Sequence, residues 1–280
     1  MKRDIPALKA AHIMDSERRE LYVEGRRDRL FFTSVAGCDC SSNTSIHEID
    51  NIDIGSALDN CNRAKLITFA GLLRSENLHI RCFADADFDR LLNVTPPENT
   101  WLTDCRDLEG YFLQPESIHR LLTQGLAIES LKADDLIASV YRLGRPVGVL
   151  RFLSHRDDLK LPFKDRPLKP YLKRRQNVTQ LEFDSYLQAL MQGAGIKLTR
   201  LKEIKALHDD LTAELTGTDN EQLLHGKDSI QILGHLLKDH ALDENSVEPS
   251  LWMSVDKASL GRFGNLSAAI NFLKRQSTSM

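Results

Sequence analysis

The stretch FADADFDR places three carboxylates, Asp85, Asp87 and Asp89, at alternate positions directly after the largely apolar run 78–84 (LHIRCFA). Alternate residues of an extended segment project to one side. Three carboxylates on one side of a partly buried cleft repel one another strongly unless a cation neutralises them or some of them protonate. A second pair of acids stands far away in the chain. Glu24 directly follows the run ELYV (20–23) and precedes Gly25, and Asp28 lies four residues further on at the expected start of a helix. If 20–23 is a strand feeding that helix through Gly25, both carboxylates point above the carboxyl edge of a sheet. Hard divalent ions take oxygen ligands, so magnesium or manganese is the expected occupant of such a cluster. An ion held there can bind a phosphate and lower the pKa of an attacking water, which is the chemistry of phosphodiester hydrolysis. Against this stands the plain alternative of a solvated acidic loop or a calcium clip, because short acidic motifs arise often by chance.

The elements that must position these acids are read from periodicity and punctuation. Strands are expected at 20–23, 45–54, 78–84 and 101–103, with helices at 28–35 and 58–73 between them. Pro115 sits where proline is tolerated, in the first turn of a helix running to Leu122, with Gly125 as its stop. Strands alternating with helices imply an α/β fold with a mostly parallel sheet flanked by helices. Beyond residue 125 helical spacing dominates, at 133–141, 182–192, 198–215, 229–237 and 266–274, with a single strand candidate at 147–152. Pro162, Pro167 and Pro170 mark 156–171 as a loop. Two regions are therefore expected, 1–125 carrying the acids and 126–280 mainly helical.

Bulk composition sets limits. The chain has 280 residues, 37 Lys and Arg against 40 Asp and Glu, and 41% hydrophobic residues, which excludes wholesale disorder and any strongly basic or acidic tail-like character. The apolar run 66–73 ends at Arg74, far short of a membrane span, and charges throughout the first twenty residues leave no room for a signal peptide, so a cytoplasmic protein with no membrane partner is expected. Five scattered cysteines suggest free thiols; Cys38 and Cys40 with His47 make only a weak soft-metal candidate. The near-neutral total conceals a contrast. Residues 142–175 hold 11 Lys or Arg against 3 Asp, and residues 203–248 hold 11 acids against 3 Lys. The basic segment, with Tyr171 beside Lys173, Arg174 and Arg175, suits a phosphate cradle with a stacking partner. Equally it suits pairing with the acidic segment, or a face turned to water.

LYVEGRRDRLFF, followed after about fifty residues by an apolar run ending in DADFD, resembles the Toprim domain of topoisomerases and primases. The resemblance implies a compact parallel sheet, a glutamate after the first strand acting as general acid or base, and a DxD pair holding magnesium; these roles fall on Glu24, Asp85 and Asp87. Asp28 resembles a second metal-binding acid in nucleases of the overcoming-lysogenisation-defect group, and Asp89 resembles the family's further acid. TDCRDLEGYFLQPESI (103–118) and HGKDSIQIL (225–233) are similar to segments of the DUF4435 branch of Toprim-like proteins, which resembles the nuclease subunit of PARIS-type anti-phage systems. By that resemblance Glu109 completes the metal site and Lys227 neutralises charge on the cleaved phosphate; by position alone Glu109 and Asp104, both after the expected fourth strand, equally cap or brace the adjoining helix, and Lys227 is an exposed lysine at a helix start. The resemblance also implies a toxic nuclease that cuts RNA, with transfer RNA the leading substrate and DNA the other candidate, an ABC- or SMC-type ATPase partner that holds it inactive, and a homodimer as the active form. Arg90 to Asn93 stand where topoisomerases carry the glycine of DxDxxG, so a topoisomerase or primase is not implied.

Two other readings compete. DxD after a strand also opens the site of HAD-like phosphatases, with Asp85 as nucleophile, but no downstream lysine and acid follow at a suitable spacing. A non-catalytic regulatory subunit of an ATPase complex would keep the same acids as a vestigial cleft.

Overall fold

A computed structural model of the chain describes residues 2–37, 43–54, 61–74, 76, 78–176, 178–240, 242 and 244–274. Cys38 and Cys40 lie outside them, as do residues 58–60 of the expected second helix. The protein is α/β, with a four-stranded, all-parallel sheet flanked by helices and a mainly helical C-terminal region. It divides into two compact units, one comprising Met1–Leu108 with Lys257–Met280 and the other Glu109–Asp256. The hydrophobic pattern changes at residue 125, whereas the chain leaves the first unit at Leu108 and returns to it at Lys257.

In the first unit the strands β1 (Arg19–Val23), β2 (Thr44–Glu48), β3 (Ile80–Ala84) and β4 (Thr100–Leu102) lie in the order β2-β1-β3-β4. The helices are α1 (Ile5–Met14), α2 (Arg26–Ala36), α3 (Asn62–Leu73) and, at the end of the chain, a helix over Gly264–Leu273. Strand alternation sorts the two faces. Tyr22, Ile80, Cys82 and Ala84 share one core with Leu8 of α1 and Leu66, Phe69 and Leu73 of α3. Turned to the other face, Phe83 meets Phe32 of α2 edge-on, with ring centroids 4.8 Å apart. The expected strand 45–54 ends early, because Ile49–Asn51 turns into a 3-10 helix and buries Ile49.

The C-terminal helix is anchored from a distance. Asp104, in the loop after β4, accepts the backbone N–H of Asn265 and of Leu266, both at 3.0 Å. This is an N-cap supplied by another segment, satisfying two donors that a helix start leaves without intrahelical partners. The helix braced is the one over Gly264–Leu273, not the one that adjoins Asp104 in sequence. Asp104→Ala should lower the unfolding free energy by about 1–2 kcal/mol in urea titration, and Asp104→Asn, which keeps one acceptor oxygen, should lower it less.

The second unit holds α4 (Pro115–Arg120), continued by a π-turn over Leu121–Gly125, then α5 (Ala133–Arg156), the antiparallel hairpin β5 (Leu172–Arg175) and β6 (Val178–Leu181), α6 (Phe183–Gly193), α7 (Leu201–Glu214), α8 (Asn220–Leu223), α9 (Gly226–Leu237) and α10 (Glu244–Ser254); the helix over Gly264–Leu273 is thus α11. Pro115 opens α4 as expected. The strand expected at 147–152 is instead part of α5, which buries Leu136, Val140, Leu143, Val147 and Leu150 at helical spacing. A short apolar run buried all round carries no periodicity of its own, and its neighbours decide its state. Gly148 serves a close approach: a Cβ there would stand 2.7 Å from the Leu223 carbonyl oxygen. Arg151 of α5 is bidentate to Asp228 of α9, at 2.6 and 2.8 Å, and lies 4.3 Å over the Phe163 ring. None of the described helices is long and apolar enough to cross a membrane.

Candidate functional site

Parallel pairing of β1 with β3 sets Val23 opposite Phe83, so the residues that follow each strand emerge side by side at the carboxyl edge of the sheet. Glu24 Oε1 accepts the backbone N–H of Asp85 at 3.0 Å. Two residues sixty-one positions apart are thereby joined. Gly25 caps α2, and Asp28 at its third position returns its carboxylate to the Gly25 N–H at 2.8 Å. Asp28 therefore has a local task, closing the helix start, as well as a place beside Glu24.

Residues 85–89 are not the extended segment expected from the sequence. After Ala84 the chain coils through a turn in which Asp87 has φ of 46°, the Asp87 N–H donates to the Arg106 carbonyl at 2.8 Å and the Asp89 N–H to the Ala86 carbonyl at 2.9 Å. Aspartate tolerates the left-handed region better than most residues. Ala86 and Phe88 are buried, while the Asp87 side chain remains 48% exposed. The alternation of buried and polar positions survives for a different reason than strand geometry. Asp85 Oδ1 accepts the Leu108 N–H at 3.1 Å.

A cation sits among these acids. Arg63, in the first turn of α3, donates from Nε to the Asp85 carbonyl at 3.1 Å, lies 3.2 Å from Asp87 Oδ2, and bonds Asp89 Oδ2 through Nη2. Its neighbour Asn62 donates to the Glu24 carbonyl at 2.9 Å. Burial pushes the Glu24 carboxyl up to about 7; the Asp85 N–H and Arg63 oppose the shift, and the charges of Asp28 and Asp87 add to it. Sequence reasoning missed Arg63. With the helix expected from residue 58, Arg63 falls mid-helix, and no sequence signal marked it.

Among the described residues no group of three or more His, Cys, Asp or Glu is gathered closely enough to hold a metal ion as it stands. The hydrogen bonds account for this: Glu24, Asp28 and Asp85 each accept a backbone N–H, and Asp87 and Asp89 close on a guanidinium. The donor set is all hard oxygen, the kind a magnesium-like ion prefers, but in this arrangement Arg63 supplies the positive charge at Asp87 and Asp89. No family model and no curated protein matches the chain.

A separate carboxylate cluster occupies the opposite end of β1. Glu20 is fully buried and accepts from Arg3 at 2.9 Å, Arg18 at 2.7 Å and Tyr22 at 2.7 Å, with His47 at 3.4 Å. His47, within β2, is thus occupied beside Glu20, and its suggested partners Cys38 and Cys40 lie outside the described residues.

The remaining candidates belong to the second unit. Glu109 is buried at the start of the 3-10 turn Leu108–Phe112. Lys227 is exposed in the first turn of α9, its backbone N–H donating to His225 Nδ1 at 3.2 Å. The basic segment is divided between a helix, a loop and a hairpin, and many of its cations are engaged. Arg174 pairs with Asp239, Arg175 with Glu182 at 2.9 Å, and Arg151 with Asp228. Arg145 donates to the carbonyls of Leu215 and Thr218 behind α7. Tyr171 has its ring against Tyr186, centroids 5.0 Å apart, so one side of its stacking surface is occupied. Lys173 is exposed on β5. For Arg151 and Arg174 the pairing partner does come from the acidic segment.

Proposed function

We propose that the chain is a metal-dependent nuclease that hydrolyses phosphodiester bonds in RNA. The observation that carries the reading is the Glu24 Oε1 to Asp85 N–H bond, which assembles acids from the ends of two neighbouring strands at one rim of a parallel sheet. Ligands in open α/β sheets bind at that edge. Asp85 and Asp87, with Glu24 and Asp28 beside them, would hold magnesium. The ion, when bound, supplies a Lewis acid for the phosphate and a lowered pKa for its water. Glu24, poised at about 7, can accept or release a proton near neutral pH, the property required of a general acid or base. Lys173 and the edge of the β5–β6 hairpin offer exposed positive charge for the nucleic-acid backbone.

The finer assignment, an anti-phage effector that cuts transfer RNA, acts as a homodimer and is restrained by an ATPase partner, rests on the resemblance to the DUF4435 branch. The competing reading, a non-catalytic subunit of an ATPase complex, draws on the guanidinium seated among the acids. Incubation of the purified chain with total RNA and plasmid DNA separates them. Magnesium-dependent cleavage that chelator abolishes and Glu24→Ala lacks supports the nuclease; equal cleavage by wild type and variant refutes it, and no cleavage of either substrate favours the regulatory subunit.

A further inference from the structure

We infer that the cavity between the end of α2 and α11 is a binding site for a small organic anion with a compact apolar body. The inference goes beyond the nuclease reading and does not rest on it. The cavity has a volume of about 560 Å³ and lies wholly within the first unit, walled by the end of α2, the 3-10 turn Ser259–Arg262 and the second half of α11. Small-molecule sites commonly run from roughly 300 to 1,000 Å³. It is separate from the acidic rim. The 11-residue helix α2 begins beside Glu24 and ends at the cavity, about 16 Å along its axis.

The wall defines what fits. Val35, Ala36 and Leu260 are buried and, with Ile270, give it an apolar side. Among the described residues Lys257 and Lys274 are the ionisable ones in the wall, and no carboxylate lines it. Gly37 and Gly261 border open space, since a Cβ built on either would meet no atom within 4 Å. Lys257 Nζ donates to the Ser34 carbonyl at 2.6 Å, which holds its charge beside the end of α2. An ammonium has three donors, so that bond does not exhaust it. Lys274 is the C-cap of α11. Cations are favoured at helix C-termini, but capping requires no cavity bordered by two of them. A cationic molecule would be repelled there. A wholly apolar one would cover the ammonium groups without replacing the water they lose. The occupant that satisfies both sides of the wall is a carboxylate or a phosphate monoester carried on an apolar group.

The test is a titration of the isotope-labelled full chain followed by amide chemical shifts, with phenyl phosphate, benzoate, benzyl alcohol and inorganic phosphate as probes. Phenyl phosphate and benzoate should shift the Gly37, Gly261 and Asn271 amides, and the tighter of the two assigns the anionic group. Benzyl alcohol lacks the charge and inorganic phosphate lacks the apolar body, so each should bind at least about tenfold more weakly than that anion. Lys257→Gln and Lys274→Gln should each weaken it about fivefold, while Lys202→Gln, at an exposed position on α7, should stay within about twofold of wild type. Gly261→Phe, whose side chain enters the open space, should abolish binding; the lysine variants carry the comparison if it folds poorly. Shifts that spare these amides, benzyl alcohol or inorganic phosphate binding as tightly as the anions, or unchanged affinity in both Lys257→Gln and Lys274→Gln overturns the site.

Discussion

Glu24→Gln should lose at least about a hundredfold in the rate of RNA cleavage while making the metal-free chain more stable at pH 8. The two effects have one cause. Glu24 is buried beside Asp28 and Asp87, and its carboxyl is raised from 4.5 to about 7. A carboxylate whose folded pKa lies above its unfolded pKa withdraws stability as pH climbs from the unfolded value through the folded one. Above pH 7 the full penalty is present. Glutamine is neutral at every pH and keeps an acceptor oxygen for the Asp85 N–H, so it removes the penalty without removing the bond. The gain in urea titration should be on the order of 1–3 kcal/mol in the presence of chelator, and it should vanish below about pH 4.5. An acid kept at a structural loss is what a functional site displays. If Glu24→Gln proves both inactive and less stable, Glu24 is a structural brace and its role in proton transfer is wrong.

Glu20→Ala should lower stability by about 1–3 kcal/mol, because it leaves the buried Tyr22 hydroxyl without its acceptor and takes the shared acceptor from the partly exposed Arg3 and Arg18. Burial alone would raise the Glu20 carboxyl, but hydrogen bonds from His47, Tyr22 and Arg18 outweigh it and hold the group well below the usual carboxylate range. The sign of the pH dependence is the reverse of Glu24's. Stability from Glu20 is complete above its unfolded value of 4.5 and is lost as pH falls toward the lower folded value. His12, whose pKa burial lowers from 6.5, adds a loss in the same direction at a somewhat higher pH. The wild type should therefore weaken progressively on acidification from about pH 6.5, and Glu20→Gln should flatten the portion below pH 4.5. Denaturation midpoints measured from pH 3 to 8 check both. The substitution lies at the amino end of β1, away from the acids after its carboxyl end, so residual folded protein should retain magnesium-dependent cleavage.

The rim of acids was legible in the sequence because it depends on a topological rule. Glu24 and Asp85 each follow a short apolar run, and parallel neighbours bring the residues after their strands to a common edge. Side-chain direction within 85–89 was not legible, since alternation suggests an extended chain and nothing in DADFD announces the left-handed turn at Asp87. Arg63 escaped notice because the helix was expected from residue 58, which places it mid-helix, whereas α3 begins at Asn62 and presents it at the end facing the acids. The strand expected at 147–152 shows the usual ambiguity of a short apolar run, resolved by the helical spacing of Leu136, Val140 and Leu143 before it. The hairpin β5–β6 was hidden by its charge: LKRR has one buried residue, Leu172, and three exposed ones. Signals for α1 were present in Asp4, which caps the Ala7 N–H at 2.7 Å, and in Pro6. For α10 they were contrary, with Pro249 inside the helix. α11 is held in the first unit by contacts such as Asp104 to the Asn265 N–H and Trp101 to Phe272, across more than 150 residues, which no local pattern encodes.

The most direct measurement is anomalous diffraction from crystals of the chain soaked in manganese. The account expects a peak bounded by the carboxylates of Asp85, Asp87 and Glu24, at about 2.0–2.3 Å from its oxygen ligands. A peak lodged elsewhere, or none at all, would contradict it.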